Sequence, residues 1–253
     1  MPTVVTPVDD SVPTVRAGAS PAASAFTAAA GADAEFDRQV RTYLEVGFAE
    51  LTGLTGPEFV AALEPLRARV SGIDVSTPPS NPTPRTTPDG DFVPFVLVVH
   101  PGHYEINHAV PAMRRGRLRG VSVIDRDEAA TYRPIDSVAI PSGFAYVLHD
   151  VETGTEFCNV RPESSLQTIL GRGRTPLTIS EGLALVILRP EMLRPNRCFS
   201  LLASRTTNQR VPAIWISQRH PKLGWCWDRN PHTWLGAASA GARNLKVSPR
   251  MVN

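Results

Sequence analysis

Apolar residues recur every three or four positions from Glu35 to Gly53, which predicts an amphipathic helix. A second helix is predicted from Thr55, because Thr55 and Glu58 have the spacing of a capping box, in which each end of the motif satisfies a backbone N–H of the other. Together the two segments predict a helical hairpin over residues 34–73.

Extended hydrophobic patterns follow this hairpin. Residues 95–99 form a continuous run of Phe, Val and Leu, which is typical of a strand buried on both faces. Helices are predicted after Pro162 and after a second capping box, Thr178 with Glu181. The other predicted strands cover residues 121–124, 144–151, 198–203 and 211–217, and residues 223–243 show little period, so an ordered loop or a short helix after Trp234 is expected there.

This order of elements predicts an α/β fold, with α+β as the alternative: an N-terminal helical hairpin followed by a mixed sheet with flanking helices. Residues 1–33 are rich in Pro, Ala, Ser and Thr and predict a disordered leader, and a proline-rich stretch predicts a linker. The predicted division is a leader (1–33), a helical hairpin (34–73), a linker (74–91), an α/β core (92–243) and a tail (244–253).

The overall charge is nearly balanced, with 26 basic and 24 acidic residues and a formal net charge of +2. Such a weak whole-molecule field gives no general case for nucleic-acid or membrane binding. Three cysteines without a paired spacing suit reduced thiols and a cytoplasmic location. Neither a signal peptide nor a membrane-spanning segment is predicted.

Two clusters in the middle of the chain could carry chemistry. Three histidines and a carboxylate fall within residues 100–108, after the first strand, where a metal, a polar site residue such as His103, or an ordinary loop are the alternatives. Their spacing matches no zinc signature, so no metal site is predicted. Four arginines within residues 114–119 could bind an anion or form a solvated face.

A second pair of clusters lies further along the chain. Arg161 and Arg174 belong to Gly/Arg turns that could present guanidinium groups to an anion or simply cap helices. Residues 223–236 hold three of the four tryptophans, and this block could line a pocket or close the core. Cys226 and His232 could form a thiolate–imidazole pair, although a cysteine between two tryptophans is more often buried and inert.

The motifs Gly-Arg-Thr-Pro-Leu-Thr (173–178), Arg-Val-Pro-Ala (210–213), Leu-Gly-Trp-Cys-Trp (223–227) and Asn-Pro-His-Thr-Trp-Leu-Gly (230–236) resemble an actinobacterial family of unknown function. The chain is also similar, in a looser sense, to aziridine-forming proteins of antibiotic pathways. That second resemblance implies a lyase-type ring closure, in which an amine displaces sulfate, and it carries over no catalytic residues.

The functional hypothesis at this stage is a cofactor-independent tailoring enzyme that acts on a small anionic metabolite. An intramolecular displacement needs a base and groups that stabilise the departing anion. The alternative is a non-catalytic module for protein interaction or ligand binding, with a partner subunit or a second copy as its partner. The candidate bases are Asp228, His232 and His103; the candidate substrate-binding residues are Arg174, Arg161, Trp225, Trp227 and Asn230.

Overall fold

The computed structural model describes residues 3–5, 25–76 and 92–244. Most of the predicted leader, linker and tail therefore lies outside the described residues. The helices are α1 (Gly31–Glu45), α2 (Phe48–Leu51), α3 (Gly56–Leu63), α4 (Arg67–Val70), α5 (Ile106–Ala109), α6 (Arg126–Ala129), α7 (Pro162–Gly171) and α8 (Ile179–Leu188).

The strands are short except for four. In chain order they are β1 (Phe92–Val99), β2 (Arg114–Arg115), β3 (Leu118–Arg119), β4 (Val121–Ser122), β5 (Arg133–Pro134), β6 (Ala145–Glu152), β7 (Thr175–Pro176), β8 (Cys198–Ser200), β9 (Ser204–Arg205), β10 (Arg210–Ser217), β11 (His220–Trp227), β12 (Leu235–Ala237) and β13 (Ser239–Arg243).

The N-terminal helices differ from the prediction in their boundaries. The first helix begins at Gly31 rather than Glu35, and it ends at Glu45 rather than at Gly53. The reason is Gly47, which adopts a left-handed φ of 78° and stops the first helix before α2 begins. The predicted capping box of α3 is confirmed, with both reciprocal hydrogen bonds between Thr55 and Glu58 present.

Two larger sheets form the rest of the fold. The first has the strand order β1-β6-β13-β7, and all of its neighbours are antiparallel. The second has the order β12-β8-β10-β11-β4 and is mixed, because its two outer strands run parallel to their neighbours. Two further two-stranded sheets are the β2–β3 hairpin and the antiparallel pair of β5 with β9, which are distant in the sequence.

Helix α8 is the centre of the core. Each of its ten residues is buried, and it contacts α1, the first sheet through β1 and the second sheet through β10. Apart from Ser180 and Glu181 in its first turn, the helix is built of apolar residues and glycine, and it gains stability by removing apolar surface from water on every side. The predicted capping box of Thr178 and Glu181 is confirmed at its N-terminus.

The prediction of an α/β fold with a mixed sheet is confirmed, and the structure adds a second sheet. The prediction of a loop or short helix over residues 223–243 is wrong, since this segment holds most of β11 and all of β12 and β13. Small residues such as those of β13 form a strand here because β6 and β7 supply hydrogen-bond partners on both sides. Within the described ranges, no helix is long and apolar enough to cross a bilayer.

Candidate functional site

A small cavity lies at the N-terminus of α8, between the histidine-rich loop and the β5–β9 pair. Its volume is about 70 Å³. A single water needs roughly 10–15 Å³ of such space, so the cavity has room for several waters or the head group of a small molecule. The lining residues are Pro101, Ile106, Tyr132, Pro134, Ile140, Thr178, Ile179, Ser180 and Ser204.

The buried part of the lining carries hydroxyl groups. Ser204 Oγ accepts a hydrogen bond from the backbone N–H of Ile179 at 3.0 Å. Thr178 Oγ1 accepts from the backbone N–H of Glu181 at 3.3 Å. Each hydroxyl thus acts as an acceptor towards the helix, and neither has an acceptor for its own proton in the part of the chain that the structure describes. Two O–H donors are therefore available to a guest in the cavity.

The outer part of the lining is apolar. Pro101 and Ile106 come from the histidine-rich loop after β1, and Pro134 and Ile140 come from the segment between α6 and β6. Ile106 and Ile140 are half-buried, so they form a rim rather than a floor. A polar floor below an apolar rim suits an amphipathic guest with its polar end inward.

A buried ion pair supports the floor from below. Glu181 is fully buried, and its carboxylate accepts hydrogen bonds from Arg243 Nε at 2.6 Å and from Arg243 Nη2 at 2.7 Å. The same carboxylate accepts from the Tyr146 hydroxyl at 2.9 Å and from the Thr178 backbone N–H at 2.7 Å. Burial by itself lowers the pKa of Arg243, and the nearby Glu181 more than offsets this, so the net pKa is raised. Arg243 is thus cationic, and its charge faces the Glu181 carboxyl group below the cavity.

Two tyrosines beside this network, Tyr104 and Tyr146, and one that lines the cavity, Tyr132, stay neutral near pH 7. Burial raises the pKa of Tyr104 to about 12, against a smaller lowering by its hydrogen bond with Ser180. Burial, followed by the Glu181 charge, raises the pKa of Tyr146 well above its ordinary value. Burial and the Glu128 charge do the same for Tyr132, whose hydroxyl donates to Glu128 Oε1 at 3.2 Å. These phenols can donate hydrogen bonds, but they do not supply phenolate bases near neutral pH.

This arrangement favours a guest that accepts hydrogen bonds. The hydroxyls of Thr178 and Ser204 offer protons, and the N-terminus of a ten-residue helix carries a partial positive charge. No carboxylate lines the cavity among the described residues. A carboxylate or carbonyl group fits this floor better than an ammonium group does.

Arg174 does not reach this cavity. Its guanidinium group is buried beside β6, where it donates to Asp150 Oδ2 at 2.8 Å, to the Asp150 carbonyl at 2.6 Å and to Ser239 Oγ at 2.9 Å. Asp150 adopts a φ of 56°, in the left-handed region that non-glycine residues rarely occupy. Arg174 therefore joins three points of the first sheet, and its donors are engaged within the protein.

Arg161 and Asp228 lie near α7. The side chain of Arg161 is 60% exposed and lies 3.9 Å from Glu163 Oε1. Asp228 Oδ1 lies 3.0 Å from Arg205 Nη2, and the Asp228 backbone carbonyl accepts from the Glu163 N–H. Asp228 thus holds an arginine and the start of α7 in place.

Trp225 and Trp227 lie side by side on one face of β11, with ring centroids 5.1 Å apart. The Arg210 guanidinium lies 4.0 Å from the centre of the Trp225 ring. Trp227 is 45% exposed. Burial raises the pKa of the Cys226 thiol to about 11, which disfavours the thiolate that nucleophilic catalysis requires.

The packing of Trp215 explains why residue 224 of this tryptophan-rich block is a glycine. A Cβ added at Gly224 would lie 2.2 Å from the Trp215 ring, which is closer than real contacts allow. Trp215 in turn contacts Trp234, whose ring lies 5.2 Å from that of His232. The aromatic residues of the second sheet thus pack on one another.

His232 and Asn230 line a narrow crevice next to Ser200 and α7, and this crevice is too small for a water molecule. The His232 carbonyl accepts from the Asn159 N–H at 2.8 Å, which ties the loop to the segment before α7. Together with the ring contact to Trp234, these interactions give His232 and Asn230 a packing role in this structure.

The histidines of the histidine-rich loop contact different neighbours and do not converge on one point. His103 is exposed, with its ring 4.9 Å from that of Phe144 and 6.1 Å from that of His100. His100 Nδ1 accepts from the Gly102 N–H, and burial together with His103 lowers the pKa of His100. His108 Nε2 lies 3.0 Å from Glu105 Oε2. No group of three or more potential metal ligands occurs in residues 3–5, 25–76 and 92–244.

The structure pairs Trp225 with Trp227 and His232 with Asn230, but it does not bring the predicted site residues together at one site. Of the described contacts, none joins His103 to Asp228 or to His232, and no predicted site residue lines the cavity at α8. Sequence reasoning missed Thr178, Ser180 and Ser204. The capping box marked Thr178 as the start of a helix, but the cavity depends on Ser204 and on the histidine-rich loop, which are distant in the sequence.

The fold and the cavity thus define an α/β protein with a small, polar-floored site at the start of its central helix. The family of unknown function DUF5701 matches residues 42–246, and the chain belongs to this family. The predicted resemblance to a family of unknown function is thereby confirmed, whereas the actinobacterial origin and the aziridine link stay predictions. No curated protein and no solved structure matches the chain.

Proposed function

We propose that this chain is a ligand-binding module that takes a small carboxylate-headed molecule in the cavity at the N-terminus of α8. The observation that carries the proposal is the pair of buried hydroxyls, Thr178 and Ser204, whose protons have no acceptor in the described part of the chain. Water can accept from these donors when no guest is bound, and a carboxylate replaces it favourably because hydrogen bonds to a charged acceptor are stronger than those to a neutral one.

The size of the cavity sets the size of the head group. About 70 Å³ accepts a few non-hydrogen atoms, and a short apolar chain would extend over the rim of Pro101, Ile106 and Ile140. A six-atom ligand such as butyrate with a Kd on the order of 1 mM would use about 0.7 kcal/mol per atom, well within the ceiling for very small ligands. We expect binding in this range or tighter for a natural ligand with more contacts.

The sequence-based hypothesis of amine cyclisation with sulfate loss stays a prediction. Its proposed anion-binding residue Arg174 donates to Asp150 and Ser239, and its proposed base Asp228 lies against Arg205. These contacts suit structural roles, so the proposed function does not use these residues. A small anionic metabolite remains the expected ligand, and a cytoplasmic location is part of the proposal.

The test is isothermal titration of the full chain with three probes of equal length: butyrate, butyramide and butylamine. Butyrate is expected to bind most tightly, butyramide more weakly and butylamine not measurably, because the floor offers donors and the helix end disfavours a cation. Equal binding of all three would overturn the choice of head group. No binding of any of them at concentrations up to about ten times the expected Kd would overturn the proposal.

Two variants locate the binding. Ile140→Phe enlarges a half-buried side chain on the rim and is expected to abolish butyrate binding while the melting temperature stays close to that of the wild type. Ile216→Phe makes the same change at a half-buried isoleucine of β10, away from the cavity, and is the matched control. Loss of binding in both variants would contradict this location.

A further inference from the structure

Two neighbouring β-hairpins at one edge of the second sheet concentrate positive charge. The tip of the β2–β3 hairpin consists of Arg115, Gly116 and Arg117, with Gly116 at a φ of 59°. The tip of the β10–β11 hairpin consists of Gln218 and Arg219. We call these two tips, together with Arg119 and Lys222, the basic edge.

The strand register places the two tips side by side. β4 runs parallel to β11 with Val121 beside Lys222, and the Arg119 carbonyl lies 2.7 Å from His220 Nδ1. Because the two segments run in the same direction, the residues that precede Arg119 lie beside those that precede His220. The tips of both hairpins therefore project from the same end of the sheet.

The basic edge lacks acidic neighbours. The sequence contains no Asp or Glu in residues 106–124 or in residues 192–227, the segments that form both hairpins. Within the described ranges, no carboxylate lies within ion-pair distance of the edge cations. These cations are Arg115, Arg117, Arg119, Arg219 and Lys222. The arginines of the core differ, since Arg174 and Arg243 each contact a buried carboxylate.

The β10–β11 turn has an arginine at a position where the backbone conformation favours glycine or asparagine. Gln218 and Arg219 have φ values of 50° and 69°, in the region where tight hairpin turns favour Asn and Gly. A glycine would relieve this strain, but it would remove the guanidinium group. Backbone strain of this kind clusters at functional sites, which supports the hypothesis that the Arg219 side chain has a function.

We infer that the basic edge binds the phosphodiester backbone of a nucleic acid. Arginine forks match phosphate oxygens in pairs, and cations repeated along two adjacent hairpins match an anion that itself repeats. Trp215 lies opposite Lys222 in the register, and its ring extends away from the tips over Gly224 towards Trp234. An aromatic ring thus flanks the basic edge on one side, and aromatic rings beside cations are a feature of surfaces that hold single strands. The tips carry Gly116 and Gln218 beside their arginines, and they offer no large apolar group for insertion into a membrane.

This inference goes beyond the proposed ligand module and departs from the expectation of no nucleic-acid partner. The expectation rests on the net charge of +2, which averages over the whole chain. Local segregation of charge is what a phosphate backbone meets, and the structure segregates cations at this edge.

The test is fluorescence anisotropy of the full chain with labelled single-stranded DNA and duplex DNA of about 20 nucleotides, at several salt concentrations. The triple variant Arg115→Gln/Arg117→Gln/Arg219→Gln removes three edge cations. The matched control, Arg126→Gln/Arg161→Gln/Arg229→Gln, removes three exposed arginines that each lie within 4.0 Å of a carboxylate. Both variants change the net charge equally.

We expect the edge variant to bind at least about tenfold more weakly and to lower the slope of log K against log salt by about 3, since one counterion is released for each contact. The control is expected to stay within about twofold of the wild type. Single-stranded DNA bound more tightly than duplex would assign a role to the aromatic ring, and the reverse order would assign the binding to charge alone; both support the inference.

Three results would overturn it. Equal weakening of DNA binding in both variants would show that binding depends on the net charge and not on the basic edge. Undetectable DNA binding by the wild type at low salt would show that the edge does not bind nucleic acid. Binding to vesicles of phosphatidylserine that is lost in the edge variant, with nucleic-acid binding unchanged, would assign the edge to a membrane. Circular dichroism melting of all proteins verifies that each variant is folded.

Discussion

The start of α8 and the tryptophan-rich end of β11 are both rich in polar and aromatic residues, but they differ in what packing leaves open. At α8 a cavity of about 70 Å³ remains, and the hydroxyls of Thr178 and Ser204 retain protons without acceptors in the described residues. At β11 the Asp228 carboxylate lies against Arg205, and the crevice beside His232 is too narrow for water. Chemistry-bearing residues make a binding site only where space and unused donors coincide.

The largest expected effect tests the support beneath the cavity. Glu181→Ala removes the carboxylate that holds Arg243 and leaves a buried guanidinium group without its partner. We expect a loss of about 4 kcal/mol of unfolding free energy, measured by urea denaturation. The control is Glu64→Ala, which removes the exposed partner of Arg67 and should change stability little. Similar losses in both variants would contradict the assigned importance of burial.

A second test measures how the unfolding free energy depends on pH through His149, a buried residue of β6 in the first sheet. Burial, followed by the charge of Arg69, lowers the pKa of His149 from 6.5 to about 4, and Nε2 of this histidine has no hydrogen-bond partner in the described part of the chain. As the pH falls, His149 is protonated in the unfolded chain before it is protonated in the folded one. The unfolding free energy therefore has its full value above about pH 6.5 and decreases as the pH falls towards 4. We expect this group to account for up to about 3 kcal/mol between pH 7 and pH 4.

The variant His149→Leu isolates this contribution. It removes the titrating group, so its unfolding free energy should fall less steeply between pH 7 and pH 4 than that of the wild type. Parallel pH profiles of the two proteins would show that His149 does not titrate as its burial implies.

A smaller effect on the unfolding free energy is expected at the tryptophan-rich end of β11. Asp228→Asn weakens the half-buried pair with Arg205 and should lower the unfolding free energy by about 1 kcal/mol. Butyrate binding should be unchanged, because Asp228 does not line the cavity. A loss of binding in this variant, with folding intact, would move the site towards β11.

The smallest effect is expected at the exposed ring of the same block. Trp227→Ala removes a side chain that is 45% exposed, and thermal denaturation should give a change within about 0.5 kcal/mol. A large loss of stability would mean that the Trp225–Trp227 contact closes the core, which is one of the two alternatives that the sequence left open for this block.

Local signals in the sequence predicted the local structure well. Each capping box defines a helix start through residues three positions apart, and both are present as predicted. The strand β13 was missed, because its small residues carry no periodic signal and it forms only through pairing with β6 and β7. The cavity escaped prediction for a similar reason: its lining joins the loop at Pro101, the segment at Pro134, the start of α8 and Ser204.

The burial of the arginines could not be predicted from the local sequence either. Arg174 and Arg161 have similar local sequences, with a glycine or proline beside each, but one guanidinium is buried against Asp150 and the other is exposed. The long-range pairing of β7 and β13 brings Arg174 to Ser239, and no local spacing encodes that pairing.

The most direct test of the central claim is the amide spectrum of the isotope-labelled chain titrated with butyrate. We expect saturable shifts of the Ile179 and Ser180 amides at the start of α8, with the Asp228 and His232 amides unmoved. Saturable shifts centred on Asp228 and His232, with the α8 amides unchanged, would contradict this claim.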